Sequence, residues 1–210
     1  MSWPHILSFS RVVAGPVVAA LVLWKPGDPY LIAGIVFALA SITDLVDGKL
    51  ARHSQRVSPL GIFIDTTSDK VLVSLVLIAM AIAGLCGAWV PLVIIGREFF
   101  ISGLRSYAAS CNRIISAHIW GKGKAALTMV AIFCVLVAAA GSTGGTMRRL
   151  ASTGTWESIG TASSWVLGVA AVLTIVSGAR YIVDAWPLFR AERSEPAVEE
   201  PRRMAAGGDR

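Results

Sequence analysis

Long apolar stretches separated by short polar breaks run through the chain, and six of them approach the roughly 20 residues that a helix needs to span a bilayer. The first extends from about Pro4 to Trp24 and is interrupted by Lys25-Pro26-Gly27-Asp28-Pro29. The second extends from about Tyr30 past Asp47 towards Arg52. Ser58-Pro59 reads as a helix start, serine as cap and proline in the first turn, and opens a third helix that continues to about Gly84. The fourth runs from Trp89 to Ala108, the fifth from His118 to Ala140, and the sixth from Ser163 to Trp186. Residues 141–160, rich in Gly, Ser and Thr, read as a loop. The pattern predicts a helical membrane domain over residues 1–189 and a charged, disordered tail over 190–210.

Composition strengthens this picture. Apolar residues make up 55% of the 210 positions and charged residues 15%, against about 25% charged in ordinary soluble domains. The expected fold class is all-α: a polytopic integral membrane protein with six transmembrane helices. A net charge of +6 then marks cytoplasmic loops and phosphate or anionic-lipid sites rather than nucleic-acid binding. Arg11 sits inside the first apolar stretch, which therefore reads as a retained membrane helix rather than a cleaved leader. Cys86, Cys111 and Cys134 have no CxxC spacing and read as packing residues.

The basic residues set an orientation. Lys49, Arg52 and Arg56 lie in the second loop, Arg105, Arg113, Lys122 and Lys124 in or near the fourth, and Arg190, Arg193, Arg202 and Arg203 in the tail. The other side holds Lys25, Arg148 and Arg149. The excess of Lys and Arg on one side predicts that both termini and the even-numbered loops are cytoplasmic.

The candidate chemistry is concentrated in one stretch. Of 13 acidic residues, Asp44, Asp47, Asp65 and Asp69 fall on two successive helices, at spacings i,i+3 and i,i+4 that keep each pair on one helix face. The short connection predicts antiparallel neighbours whose carboxylates meet near the cytoplasmic boundary. Four carboxylates in a low-dielectric cleft require cations, protons or basic side chains, and an all-oxygen set favours Mg²⁺, Mn²⁺ or Ca²⁺. These residues alone fit a two-metal site for displacement at phosphorus and, as a competing class, an ion pathway in a divalent-metal transporter.

The intervening residues narrow the choice. Asp44-Leu-Val-Asp47-Gly48-Lys-Leu-Ala51-Arg52, then Gly61, Asp65 and Asp69, resembles the signature D-x2-D-G-x2-A-R-x8-G-x3-D-x3-D of the CDP-alcohol phosphotransferase family at every fixed position. The resemblance implies attack by an acceptor hydroxyl on the lipid-bearing phosphorus of a CDP-linked lipid, with CMP leaving. It further implies that Asp44, Asp47, Asp65 and Asp69 ligate two Mg²⁺ (or Mn²⁺) ions and that Asp69 is the general base. Gly48, Ala51, Arg52 and Gly61 are then expected at the nucleotide, the small residues allowing close approach and Arg52 supplying charge. A homodimer in a membrane, the bacterial inner membrane in particular, is also implied.

Further along, Arg97-Glu98, Ser102-Gly103-Leu104-Arg105 and Gly121-Lys122-Gly123-Lys124 resemble the phosphatidylglycerophosphate synthase branch of that family. Its acceptor, sn-glycerol 3-phosphate, would explain a second basic cluster, with Arg97, Arg105, Lys122 and Lys124 as phosphate-binding candidates and Arg97 and Arg105 sharing a helix face. The donor is then CDP-diacylglycerol. Inositol phosphate, or phosphatidylglycerol as in a cardiolipin synthase, are the alternative acceptors. Pro4-His-Ile-Leu-Ser-Phe-Ser-Arg11 resembles the branch's P-N-x-L-T-x-x-R segment with His5 and Ser8 as departures.

Overall fold

The computed structural model describes residues 3–50, 59–111, 120–144 and 146–192, with side chains described over 10–43, 67–111, 123, 125–144 and 146–183. Six α-helices and no strand occur among them: α1 (Trp3–Trp24), α2 (Asp28–Leu50), α3 (Pro59–Ile82), α4 (Trp89–Ser110), α5 (Trp120–Ser142) and α6 (Thr153–Glu192), with a single 3-10 turn at Thr146–Arg149. The first five begin and end within two residues of the positions expected from hydropathy. The chain is all-α, as expected.

The sixth helix departs from expectation at both ends. Residues 153–160, expected in a loop, form its first two turns, and it continues to Glu192, past the expected tail boundary at 190. Ser152 starts the helix: its hydroxyl accepts from the Thr155 amide at 3.3 Å and lies 2.9 Å from the Thr155 hydroxyl. The small residues that suggested a loop instead make room for a ring, because Trp156 lies flat on Gly141 of α5. A Cβ at Gly141 would stand 2.3–2.6 Å from the Trp156 ring.

Tight turns fix the helix directions. Residues 25–27 reverse the chain between α1 and α2, with Gly27 at φ 107°. At the end of α3 the Leu85 amide donates to the Met80 carbonyl at 2.8 Å and the Gly84 amide to Ala81 at 3.2 Å. This is the glycine-terminated C-cap that needs a left-handed residue, and Gly84 has φ 74°. The 25–27 turn and the α5–α6 connection are clasped together where the Thr146 amide donates to Asp28 Oδ1 at 2.6 Å. That bond holds the exposed Asp28 carboxyl below the usual carboxylate range, so the clasp is complete at neutral pH and is lost only as pH falls through the lowered value.

In the packing, α1 touches both α2 and α3, α5 touches α2 and α6, and α4 touches α3 and α6. Along their described lengths α2 and α3, expected as direct neighbours, each pack chiefly on α1, which bridges them. The eight residues 51–58 can span about 26 Å, enough to pass a helix about 10 Å thick. They cannot return along the roughly 35 Å of α2, so α3 runs antiparallel to α2 and parallel to α1. Gly15 permits the α1–α3 approach: its missing Cβ would lie 3.2 Å from Leu75 Cδ1 and 3.4 Å from the Leu72 Cα. One buried core joins all six helices, drawing on Val18, Phe37, Leu72, Ile94, Leu136 and Leu167.

Outside this core the helices stay apolar. Leu92 and Trp165 are 74% and 73% exposed, and Leu39, Ile82 and Val183 are also bare. A soluble monomer rarely carries apolar surface on this scale. Among the described residues, Ala125–Ser142 and Thr153–Val183 are long and apolar enough to cross a membrane, and Ser10–Trp24 and Asp28–Thr43 are shorter apolar stretches. All three cysteines are free; Cys111, expected in packing, is exposed at the end of α4.

The Gly141–Trp156 contact yields the first prediction. Gly141→Ala should push the indole out of its seat and lower stability by roughly 1–3 kcal/mol, the usual cost of overpacking. The drop should appear as a lower thermal midpoint in detergent and a changed Trp fluorescence. An unchanged midpoint would mean that the ring is not seated there.

Candidate active site

Helix register orders the polar groups by depth. Arg11 and Ser41 each lie thirteen residues from the 25–27 turn, counted from Trp24 and Asp28, so they are level across the antiparallel α1–α2 pair. Gly15 faces Leu72, and one turn back along the parallel pair Arg11 is level with Ser68. At about 1.5 Å rise per residue, the backbones of Asp44 and Asp65 are then level, about 4.5 Å from Arg11 towards the 51–58 connection. Asp47 lies a turn further in that direction, and Asp69 is within about 2 Å of the depth of Arg11. Two carboxylate positions from different helices thus share one level, flanked by the other two.

The surroundings of this layer are polar and buried. Ser68 is wholly buried, Ser41 is buried with its hydroxyl donating to the Phe37 carbonyl at 2.8 Å, and Asp69 is half-buried. The side chains of Asp44, Asp47, Gly48, Gly61 and Asp65 lie outside the described ones, although their backbones are helical. Ala51 and Arg52 lie outside the described residues altogether. Among described residues no three metal-ligating side chains converge. A donor set made only of carboxylates, with two of its members level on different helices, fits a hard divalent cation.

Lys70, next to Asp69, was not singled out by the pattern of the sequence. Its ammonium donates to Ser102 Oγ on α4, and Ser102 in turn donates to the Glu98 carbonyl at 2.7 Å. A lysine directly after the last aspartate of the motif, where the helix turns from polar to apolar, was the available signal. The Lys70–Ser102 bond also sets the α3–α4 register: in this antiparallel pair Arg105 is level with Thr67, and so with the aspartates.

The four expected phosphate-binding residues separate. Arg105 is exposed at the level of the site. Arg97 is about 12 Å back along the helix and on a different face, because eight residues turn through about 80° beyond two full turns. It lines up with buried Ile101, Leu104 and Ala108. Its guanidinium is paired with Glu98, donates to Ser177 Oγ at 3.1 Å, and sits 5.8 Å from the Tyr181 ring centre. Gly178 leaves space for it, with a Cβ position 3.2 Å from Arg97 Cγ. The expected shared face of Arg97 and Arg105 is therefore not formed, and Arg97 works as a tie between α4 and α6. Lys122 and Lys124 belong to the first turn and a half of α5, with side chains outside the described ones.

The all-helical fold and the level aspartate positions fit either class that the carboxylates allow, and comparison with known proteins decides between them. The sequence profile of the CDP-alcohol phosphatidyltransferase family matches residues 1–177. The chain belongs to that family and is an enzyme of phospholipid biosynthesis. It is 30% identical over 209 residues, covering 96% of this chain and 100% of the relative, to the CDP-diacylglycerol–glycerol-3-phosphate 3-phosphatidyltransferase of Pseudomonas fluorescens. The enzyme of that name from Bacillus subtilis is 34% identical over 146 residues, 64% of this chain and 76% of its own length. A third, from Rickettsia bellii, is 30% identical over 178 residues, 85% and 92% of the two chains.

If Arg97 is a helix tie held by Glu98, then Glu98→Gln should lower the thermal midpoint by an amount equivalent to about 1 kcal/mol, since it leaves a half-buried guanidinium without its counter-charge. The acceptor KM should not change. A tighter acceptor KM with unchanged stability would instead return Arg97 to the phosphate site.

Proposed function

We propose that the protein transfers the phosphatidyl group of CDP-diacylglycerol to sn-glycerol 3-phosphate, giving phosphatidylglycerophosphate and CMP. The observation that carries this reading is the eight-residue aspartate motif, whose helix register brings Asp44 and Asp65 level with each other near Asp69. The relatives named for the same reaction support the choice of acceptor, as does Arg105 at the level of the aspartates. In the reaction the acceptor hydroxyl oxygen bonds to the lipid-bearing phosphorus as the bond from that phosphorus to CMP breaks. Asp69 accepts the hydroxyl proton.

Asp44, Asp47, Asp65 and Asp69 would hold divalent cations, two Mg²⁺ or Mn²⁺ ions in this reading. Such ions, when bound, offset the charge of the diphosphate and make a nearby hydroxyl more acidic. Gly48, Ala51 and Gly61 leave the helix backbones open to the nucleotide, and Arg52 adds positive charge. Arg105, Lys122 and Lys124 bind the acceptor phosphate, which suits fixed positive charge at this depth. The chain crosses the membrane six times, with both termini and the site on the cytoplasmic side of a bacterial inner membrane, and works as a homodimer. Its catalytic domain covers residues 1–189, with the remainder as an appended tail.

Two outcomes follow for purified protein in detergent with CDP-diacylglycerol and Mg²⁺. CMP release should require glycerol 3-phosphate, fail with inositol phosphate or phosphatidylglycerol, and fall at least 100-fold in Asp69→Asn, the range expected for losing a general base. Release with a different acceptor would move the acceptor assignment, and retained turnover in Asp69→Asn would remove the base. Arg105→Ala should raise the KM for glycerol 3-phosphate about tenfold or more, with little effect on that for CDP-diacylglycerol. Equal effects on both substrates would count against an acceptor-phosphate role.

A further inference from the structure

Arg11 is the largest of the fully buried side chains, 1% exposed, inside an apolar helix. That burial rules out a residue that snorkels to the membrane surface or serves only to orient the chain. A guanidinium does not lose its proton in proteins, so the charge is buried with the side chain. A buried charge needs an opposite one nearby or costs several kcal/mol. The acidic residues of the helices that pack on α1 are few. Asp28 is at the far end of α2, roughly 20 Å away in depth. Asp47, also on α2, is roughly 9 Å away in depth, towards the 51–58 connection. Asp69 is within about 2 Å of the depth of Arg11, and Asp44 and Asp65 within about one helical turn, a separation that an arginine side chain covers.

We propose that Arg11 is the fixed counter-charge of the aspartate layer: a positioning residue that keeps the carboxylates together without metal and so moderates how tightly the site holds a divalent cation. The metal part rests on the function proposed above; the counter-charge part rests on burial and register alone. A site of four carboxylates with no internal cation would repel itself when empty and bind cations too tightly when filled. One built-in positive charge reduces both effects. Substrate exchange at a metal site benefits from the same moderation.

The test compares wild type, Arg11→Gln, Arg11→Lys, Asp69→Asn and the Arg11→Gln/Asp69→Asn double variant, all with intact membrane domains in detergent. Mn²⁺ alone is the probe, followed by the electron paramagnetic resonance of the free ion. Arg11→Gln should bind Mn²⁺ about tenfold more tightly than wild type, since removing a nearby positive charge favours a dication, whereas Arg11→Lys should stay within about threefold. A merely structural arginine would leave affinity unchanged or weaken it, and either result overturns the proposal. The second readout is the metal-free thermal midpoint, which Arg11→Gln should lower and the added Asp69→Asn should restore. Should Arg11→Gln not fold, folding of the double variant supports the counter-charge, and failure of the double variant overturns it. If wild type binds no Mn²⁺, the metal reading fails, while the rescue by Asp69→Asn still decides the role of Arg11.

Discussion

The close approach of α1 to α3 at Gly15 governs the depth of the polar groups in this protein. Where a side chain would hold two helices apart, glycine lets the Leu72 backbone come against α1, and that contact sets the register of a parallel pair. Through it Arg11 is level with Ser68, and through the short 25–27 turn it is also level with Ser41. The aspartates on α2 and α3 then fall into a common layer although the two helices are bridged by α1 along their described lengths. A larger residue at position 15 would separate the helices and offset the two halves of the motif from each other.

Much of this was legible in the sequence, for identifiable reasons. Helix number and most boundaries follow from hydropathy because each helix is apolar around most of its circumference, a signal that needs no knowledge of neighbours. The motif was legible because its spacing encodes helix faces. Neighbour relations were not: a connection of eight residues is compatible with direct packing of α2 on α3 and with passage around an intervening helix. The start of α6 was misread because small polar residues usually mark loops, whereas here they form the seat of Trp156 against Gly141. Ser152, a capping residue at the right place, carried the better signal.

Charged residues within apolar helices divide into two kinds. Arg97 belongs to the first: its pairing with Glu98, its bond to Ser177 and the Tyr181 ring hold it locally, with only Nε left without a hydrogen bond, and it joins α4 to α6. Asp69, Lys70 and Arg105 belong to the second, clustered at one depth, with Lys70 tying the α3 part of the layer to α4. Sequence spacing could not separate the kinds, since Arg97 and Arg105 sit on one helix and carry the same charge. Burial of the surrounding face separates them: Arg97 aligns with Ile101 and Leu104, while Arg105 faces outward.

The length of α6 has a mechanical consequence. Its 40 residues make a rod of about 60 Å, twice the thickness of a bilayer's hydrocarbon core. One end is anchored by Trp156 on α5, and the middle is bolted to α4 through Ser177 and Tyr181. Beyond Val183 the helix continues for nine more residues to Glu192, and Pro187 among them leaves the ladder one backbone hydrogen bond short. A load applied at that end of α6 crosses Pro187 before it reaches the Arg97 bolt, two helical turns from the depth of the aspartate layer.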